Sequence, residues 1–150
     1  NNEFPEFNPQ LLENLGEDQR YWFAKTVVAM VMVDEHIEIH ERAFLHSALR
    51  LLTSQERVQE LEEAILLGKI PQITPIRLSE EDSKNILESL INVATIDRDF
   101  DKREEKLFQQ IGNALDVDDK FIQSTIKLGH TRIQQFRANQ LRAPNVRARV

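Results

Sequence analysis

Apolar side chains recur three or four positions apart along most of this chain, and helix-capping residues separate the apolar runs. This spacing places the apolar residues on one face of an α-helix. No segment alternates apolar and polar residues over the length of a strand, and only four of the 150 residues are glycine. We therefore predict an all-α fold, a single compact domain of seven or eight helices.

The predicted helix boundaries follow from residues that favour helix ends. The residues expected to open helices are Asn8, Asp18, Ile39, Thr53, Ser79, Asp101 and Asp116. Thr53 has Glu56 three positions later, which is the spacing of a capping box. Gly68 is expected to end the fourth helix, Gly129 to break a later one, and Pro144 to end the last.

The pattern repeats at an offset of 63 residues. Acidic and apolar positions then coincide in the pairs Asp34 and Asp97, Ile37 and Phe100, Glu38 and Asp101, Glu41 and Glu104, and Phe44 and Leu107. We predict repeat 1 over about residues 18–68, a linker over 69–78 that packs across the body, repeat 2 over about 79–128, and a basic C-terminal helix and tail over 129–150. The helix pairs around residues 18–52 and 80–115 should superpose.

Charge is distributed unevenly along the chain. The formal net charge is −6, yet residues 126–150 carry six of the 19 basic residues and none of the 25 acidic ones. The acidic body should repel nucleic acid, so we predict no nucleic-acid partner. Two interpretations of the tail stay open: a solvated end or one that docks on the acidic body, and an electrostatic arm for a membrane surface or acidic partner.

Several classes of chemistry are excluded by what the sequence lacks. It has no cysteine, which excludes disulfides, thiolate metal sites and thiol nucleophiles. The longest apolar run, residues 27–33, is too short for a membrane span, which needs about 18 residues. No P-loop, dinucleotide-binding or Gly-x-Ser-x-Gly motif is present. We predict no transmembrane segment and no catalytic residue.

Acidic residues follow the apolar stripes at two equivalent turns, which we call the first corner (residues 33–41) and the second corner (residues 96–105). Asp34 continues the inward stripe of one helix, and Glu41 begins the inward stripe of the next. Asp97 and Glu104 occupy the same positions in the second repeat. Each corner therefore directs two carboxylates toward one place, and we predict that Glu41 and Glu104 are at least half buried.

Two explanations of these acids stay open, because a buried charge needs a partner. The first is helix capping, in which Asp101 caps its helix and Glu104 accepts the Asp101 backbone N–H. If Glu104 only caps, its replacement by alanine should cost about 1 kcal/mol. The second is a divalent cation that gathers the carboxylates.

The two corners, VDEHIEIHE (residues 33–41) and IDRDFDKREE (residues 96–105), resemble those of the TerB tellurite-resistance family. That family's domain is also found at the N-terminus of a membrane-anchored DnaJ-type co-chaperone. The resemblance covers about residues 20–128 and implies an all-helical fold of two repeats, each with an alanine-aspartate-glycine-glutamate corner. Here Glu35 and Arg98 replace the family's glycine, so the turn need not have the usual geometry.

The resemblance implies a metal-binding surface at the acidic corners. The residues that would carry it are Asp34, Glu38, Glu41, Asp97, Asp101 and Glu104. Hard oxygen ligands of this kind favour calcium, magnesium or manganese.

Three further residues are weaker metal-ligand candidates. His36 and His40 would shift the preference to zinc or nickel if they joined the site. Asp99 lies between Asp97 and Asp101 in a spacing like the start of an EF-hand loop, but the glycine and glutamate that this loop needs later are absent.

The resemblance implies a non-enzymatic interaction module of the stress response to tellurite and other toxicants. Such a module is expected in the cytoplasm, at the periphery of the membrane, with protein partners in a membrane-associated complex; a homodimer is compatible with this role. The alternatives are a metal-dependent hydrolase that uses the acidic corners and a structural scaffold without metal. Catalysis would need an open metal position in a concave pocket, whereas a binding module would not.

Overall fold

The structure, a computed structural model, describes residues 7–34, 37, 39–96 and 98–148, with the backbone alone for residues 40 and 142–148. The helices are α1 (Pro9–Asn14), α2 (Glu17–Met32), α3 (Ile39–Leu49), α4 (Gln55–Leu67), α5 (Glu80–Ala94), α6 (Lys102–Ala114) and α7 (Asp119–Ala148). Among the described residues these seven helices are the only regular secondary structure. The predicted all-α class and helix number are confirmed.

Helix α2 lies at the centre of the fold. Ten of its residues are buried, including the whole run from Thr26 to Met32. A helix that is apolar on all sides is stable only when it is surrounded, and α2 packs against α3, α4, α5 and α6. Helix α5 makes the second set of central contacts, with α1, α2, α6 and α7. Each fully buried apolar side chain in this core contributes roughly 1.5–3 kcal/mol of transfer free energy.

The helix boundaries follow the predicted offset. Helices α2 and α5 begin at Glu17 and Glu80, and α3 and α6 begin at Ile39 and Lys102, so each pair starts 63 residues apart. Within each repeat the two helices pack against each other. Superposition of the two pairs stays a prediction.

Two helix starts differ from their predicted positions. Gly16, rather than Asp18, precedes the first turn of α2, because the Gln19 side chain accepts the Gly16 backbone N–H at 2.8 Å. Ser54, rather than Thr53, caps α4, and its hydroxyl oxygen accepts a first-turn N–H at 3.3 Å. Both corrections have the same cause, since neighbouring polar residues can each satisfy the free N–H groups of a first turn.

The predicted opening of a helix at Asp116 is wrong. Asp116 has φ 58°, a left-handed conformation, and belongs to the turn that ends α6. Helix α7 begins only at Asp119, with the Asp118 carbonyl accepting the Ile122 N–H at 3.2 Å. The caps Ser54 and Asp118 are therefore 64 residues apart, one more than the offset, and Asp116 lies at this insertion.

Helix α7 does not break at Gly129, and it continues past Pro144 to Ala148. Gly129 instead allows close helix packing: a Cβ atom there would lie 2.9 Å from Ile91 Cδ1 of α5. Proline removes one helical hydrogen bond but keeps φ near the helical value, so the backbone assignment can pass through it. No helix built from the described residues combines the length and apolarity that a membrane crossing requires.

The segment 69–78 packs across the body, as predicted. It follows Gly68, which ends α4 with φ 69°, the left-handed conformation that favours glycine. The Trp22 indole N–H donates to the Thr74 carbonyl at 2.7 Å, and the Ile76 N–H donates to the Ala114 carbonyl at 3.1 Å. These bonds attach the segment to α2 in repeat 1 and to α6 in repeat 2.

Candidate functional site

Arg103 connects the two corners. It lies in the first turn of α6, and its Nη2 atom is 3.4 Å from Asp34 Oδ1 and 3.4 Å from the Asp34 carbonyl oxygen. The same nitrogen is 3.2 Å from Asp101 Oδ2. One guanidinium group therefore lies between a carboxylate of the first corner and a carboxylate of the second. The acids converge across the two repeats, whereas the sequence predicted convergence within each corner.

The second corner contains the predicted capping box. Asp101 Oδ1 accepts the Glu104 N–H at 3.0 Å, and Glu104 Oε1 accepts the Asp101 N–H at 3.1 Å. Burial raises the pKa of the Asp101 carboxyl, but the Glu104 N–H and the Arg103 guanidinium together lower it more, so the pKa lies below its ordinary value. The capping explanation is confirmed for these two acids.

The inward-facing acids are buried, as predicted. Glu41 is 2% exposed and Glu104 is 0% exposed, and Asp34 is 8% exposed. Glu41 and Glu104 lie in the first turns of α3 and α6, where the helix dipole favours an anion. Asp34 lies just after the end of α2, where the dipole disfavours it, and Arg103 supplies a compensating charge.

The other predicted metal ligands do not form a described cluster. His36, Glu38 and Asp97 lie outside the described residues, as does the His40 side chain. Asp99 is exposed, and its carboxylate accepts the Phe100 N–H at 2.9 Å. Within the ranges that the structure describes, no group of three or more acidic or histidine side chains is placed to hold a metal. The metal site stays a prediction.

Arg103 is the site residue that the sequence analysis missed. A positive charge in the first turn of a helix opposes the helix dipole, so it needs acidic neighbours. Asp101 and Glu104 flank Arg103 in the sequence, and this signal could have identified it. At the pair Asp34–Asp101, the guanidinium already provides positive charge of the kind that a cation would add.

Arg98 adopts the backbone conformation that glycine favours. Its φ is 66°, at the position where the TerB corner has glycine. A non-glycine residue in this region costs on the order of 1 kcal/mol or more. The Arg98 guanidinium also stacks on Phe136 of α7, with Cζ 3.6 Å from the ring centroid, and this cation–π contact partly offsets the backbone cost.

Replacing Arg98 by alanine and by glycine should separate these two terms. Alanine keeps the left-handed strain and loses the stacking, so we expect a stability loss of about 0.5–1 kcal/mol. Glycine loses the same stacking but relieves the strain, so it should be about 1 kcal/mol more stable than the alanine variant. Urea unfolding followed by circular dichroism measures both, with exposed Arg137→Ala as control. Equal stability of the two Arg98 variants would contradict the strain.

An aromatic contact supports the second corner from α7. Phe100 is buried and contacts the Phe108 ring edge-on, with centroids 6.4 Å apart. The His130 ring lies 5.1 Å from the Phe100 ring, and His130 Nε2 lies 2.9 Å from Glu105 Oε2. His130 therefore packs against the corner and pairs with an acid of α6, in agreement with its predicted packing role.

Three grooves lie elsewhere on the described surface. The largest, about 680 Å³, lies between segment 75–78, the start of α5 and the α6–α7 turn. One of about 290 Å³ lies beside Phe7 and Phe44. The third, about 400 Å³, lies between the end of α5 and α7. Corner acids Asp34, Glu41, Asp101 and Glu104 line none of the three.

Comparison with known proteins finds no matching family model, no matching curated protein and no matching solved structure. The resemblance to the TerB family therefore rests on the two corner motifs alone.

Proposed function

We propose that this chain is a non-enzymatic interaction module of the TerB type that acts through protein partners in a tellurite or toxicant stress response. The proposal places it in the cytoplasm, at the periphery of a membrane-associated complex. The observation that carries it is the junction of the two corners, where Arg103 lies between the carboxylates of Asp34 and Asp101. The left-handed Arg98, at the position of the family's glycine, supports the same assignment.

The surroundings of the acids favour binding over hydrolysis. A metal hydrolase needs an open coordination position facing a concave pocket. The three grooves described above are lined by other residues, and Glu104 and Asp101 are engaged in the capping box. We therefore assign the corners to recognition and name no catalytic residue.

A divalent cation is the second part of the proposal. The described groups that would hold it are the carboxylates of Asp34 and Asp101, with Glu38 and Asp97 from the same corners. When bound, calcium, magnesium or manganese would neutralise these acids and compete with Arg103 for them. Zinc or nickel would need His36 or His40 as an additional ligand.

Thermal melting tests the cation. We compare wild type, Asp34→Asn with Asp97→Asn, and the exposed control Glu62→Gln, each in chelator and in millimolar calcium, magnesium or manganese. A cation at a hundred times its dissociation constant should stabilise wild type and the control by about 2.7 kcal/mol, and the corner variant much less. Equal melting temperatures in chelator and metal would exclude the cation and leave Arg103 as the charge partner.

The same three proteins test the stress role in cells that lack the chain. Wild type and Glu62→Gln should restore growth on tellurite, whereas the folded corner variant should not. Full restoration by the corner variant would contradict a role for the corners. Growth that does not depend on the chain at all would contradict the stress assignment.

A further inference from the structure

Helix α4 carries an exposed face with acids one turn before leucines. Leu66 is 85% exposed and Leu67 is 57% exposed, and Glu62 and Glu63 precede them by four residues. Residues four apart lie on the same side of a helix, so each leucine is next to a carboxylate. Ile70, just beyond the helix end, is 46% exposed. We call Glu62, Glu63, Leu66 and Leu67 the α4 face; it is apolar and acidic, and nothing in the described fold covers its leucines.

A groove of about 400 Å³ beside α7 has the complementary chemistry. Ile96, Ile133 and Phe136 supply apolar surface, and Arg98 and Arg132 supply two guanidinium groups. Its described lining includes no carboxylate. We call these five residues the α7 groove.

Both arginines of the α7 groove are held in place by neutral groups. Arg98 stacks on Phe136, and Arg132 Nη1 donates to the Asn92 side-chain oxygen at 2.5 Å. Neither contact neutralises the positive charge. An arginine held by an aromatic ring or an amide keeps its charge for a ligand and loses little further side-chain entropy on binding.

We propose that copies of this chain associate head to tail, with the α4 face of one copy in the α7 groove of the next. The two surfaces match in kind and number: two leucines meet an apolar groove, and two carboxylates meet two guanidinium groups. Within one chain they do not meet, because Leu66 is exposed and the groove is open. The proposal does not rest on the proposed function, since none of its residues belongs to the proposed metal-binding set.

The geometry of such a contact determines what assembles. Each copy uses two different surfaces, so the contact is heterologous and gives a ring or an open chain of copies. Helix α4 has 13 residues and is about 20 Å long, so the contact is smaller than the roughly 800 Å² per partner of a stable interface. The association is therefore expected to be weak, concentration-dependent and reduced by salt.

Sedimentation velocity over a range of protein concentrations, in low and high salt, tests the contact. The groove variant is Arg98→Glu with Arg132→Glu, and the α4 variant is Glu62→Lys with Glu63→Lys. Wild type should sediment faster as its concentration rises, and less so in high salt. Each variant alone should stay monomeric, with the dissociation constant raised by at least about tenfold. The control, Lys106→Glu with Lys120→Glu, changes exposed lysines elsewhere and should behave like wild type.

Mixing the two variants gives the decisive result. The groove variant keeps an intact α4 face and the α4 variant keeps an intact groove, so an equimolar mixture should form a one-to-one dimer that cannot grow further. A monomeric mixture, or a wild type that stays monomeric at every concentration, overturns the proposal. If a monomeric wild type instead binds an acidic, leucine-containing peptide in the groove, the occupant is a different protein and the second-copy proposal is wrong.

A second pair of substitutions guards against misfolding of the charge variants. Leu66→Ser with Leu67→Ser removes the apolar contacts at exposed positions without changing the charge. It should also be monomeric, and its circular dichroism and melting temperature should match those of wild type. Association of this variant at wild-type strength would contradict the role of the α4 face.

Discussion

Replacing Phe108 by alanine is expected to lower the free energy of unfolding by about 3–5 kcal/mol. Phe108 is 0% exposed, on a helix that packs against α2, α5 and α7. Alanine would leave a cavity where these helices meet and would remove the edge-on contact with Phe100 of the second corner. Because a domain of this size is stable by only about 5–15 kcal/mol, the variant should lie close to the unfolding threshold at physiological temperature.

Urea unfolding followed by circular dichroism measures this loss. Phe121→Ala is the matched control, because Phe121 is half-buried near the surface, where Lys84 lies over its ring. The control should lose clearly less stability than the Phe108 variant. A loss below about 1 kcal/mol for Phe108→Ala would mean that the core around the second corner collapses onto the cavity, contrary to its close packing.

The sequence predicts the helices and the buried acids because both depend on local spacing. The positions of Glu41 and Glu104, three and four residues before inward apolar residues, place their side chains on the buried face of a first turn. Their observed exposures, 2% and 0%, follow directly from that register. The capping box of Asp101 and Glu104 is equally local, since its two hydrogen bonds join residues three apart.

Helix ends are less predictable where neighbouring residues compete. Thr53 and Ser54 can both cap a helix, and a small local difference decides between them. The Thr53 hydroxyl donates to the Glu17 carboxylate of α2, a tertiary contact that leaves Ser54 as the cap. Gly129 similarly has two possible roles in a sequence, as a helix breaker or as a close-contact residue, and only the position of Ile91 on α5 shows which applies.

The junction of the corners lies beyond local reasoning for a different cause. Arg103 and Asp34 are 69 residues apart, and their contact depends on how the two repeats pack together. The offset relates the repeats to each other but does not contain their relative orientation. The sequence therefore identified acids at each corner without the arginine that connects them.

Replacing Glu104 by alanine is expected to lower the free energy of unfolding by about 2–4 kcal/mol, because two losses combine. The first is the reciprocal cap, about 1 kcal/mol. The second is the cavity left by a side chain that is 0% exposed and of nearly leucine size. Glu81→Ala, an exposed acid in the first turn of α5, is the matched control and should change stability little, since no cavity forms there.

Glu104→Gln then isolates the charge, because glutamine keeps the volume and can still accept the Asp101 N–H with its amide oxygen. If Glu104 only caps and fills space, the glutamine variant should retain most of the stability that alanine loses. If the charge itself is compensated by a bound cation, the glutamine variant should lose the stabilisation that millimolar calcium, magnesium or manganese gives to wild type. Urea unfolding of the three variants, each in chelator and in metal, distinguishes these cases. A Glu104→Ala loss near 1 kcal/mol would instead assign the whole contribution to the cap, since removing the buried side chain would then have cost nothing further.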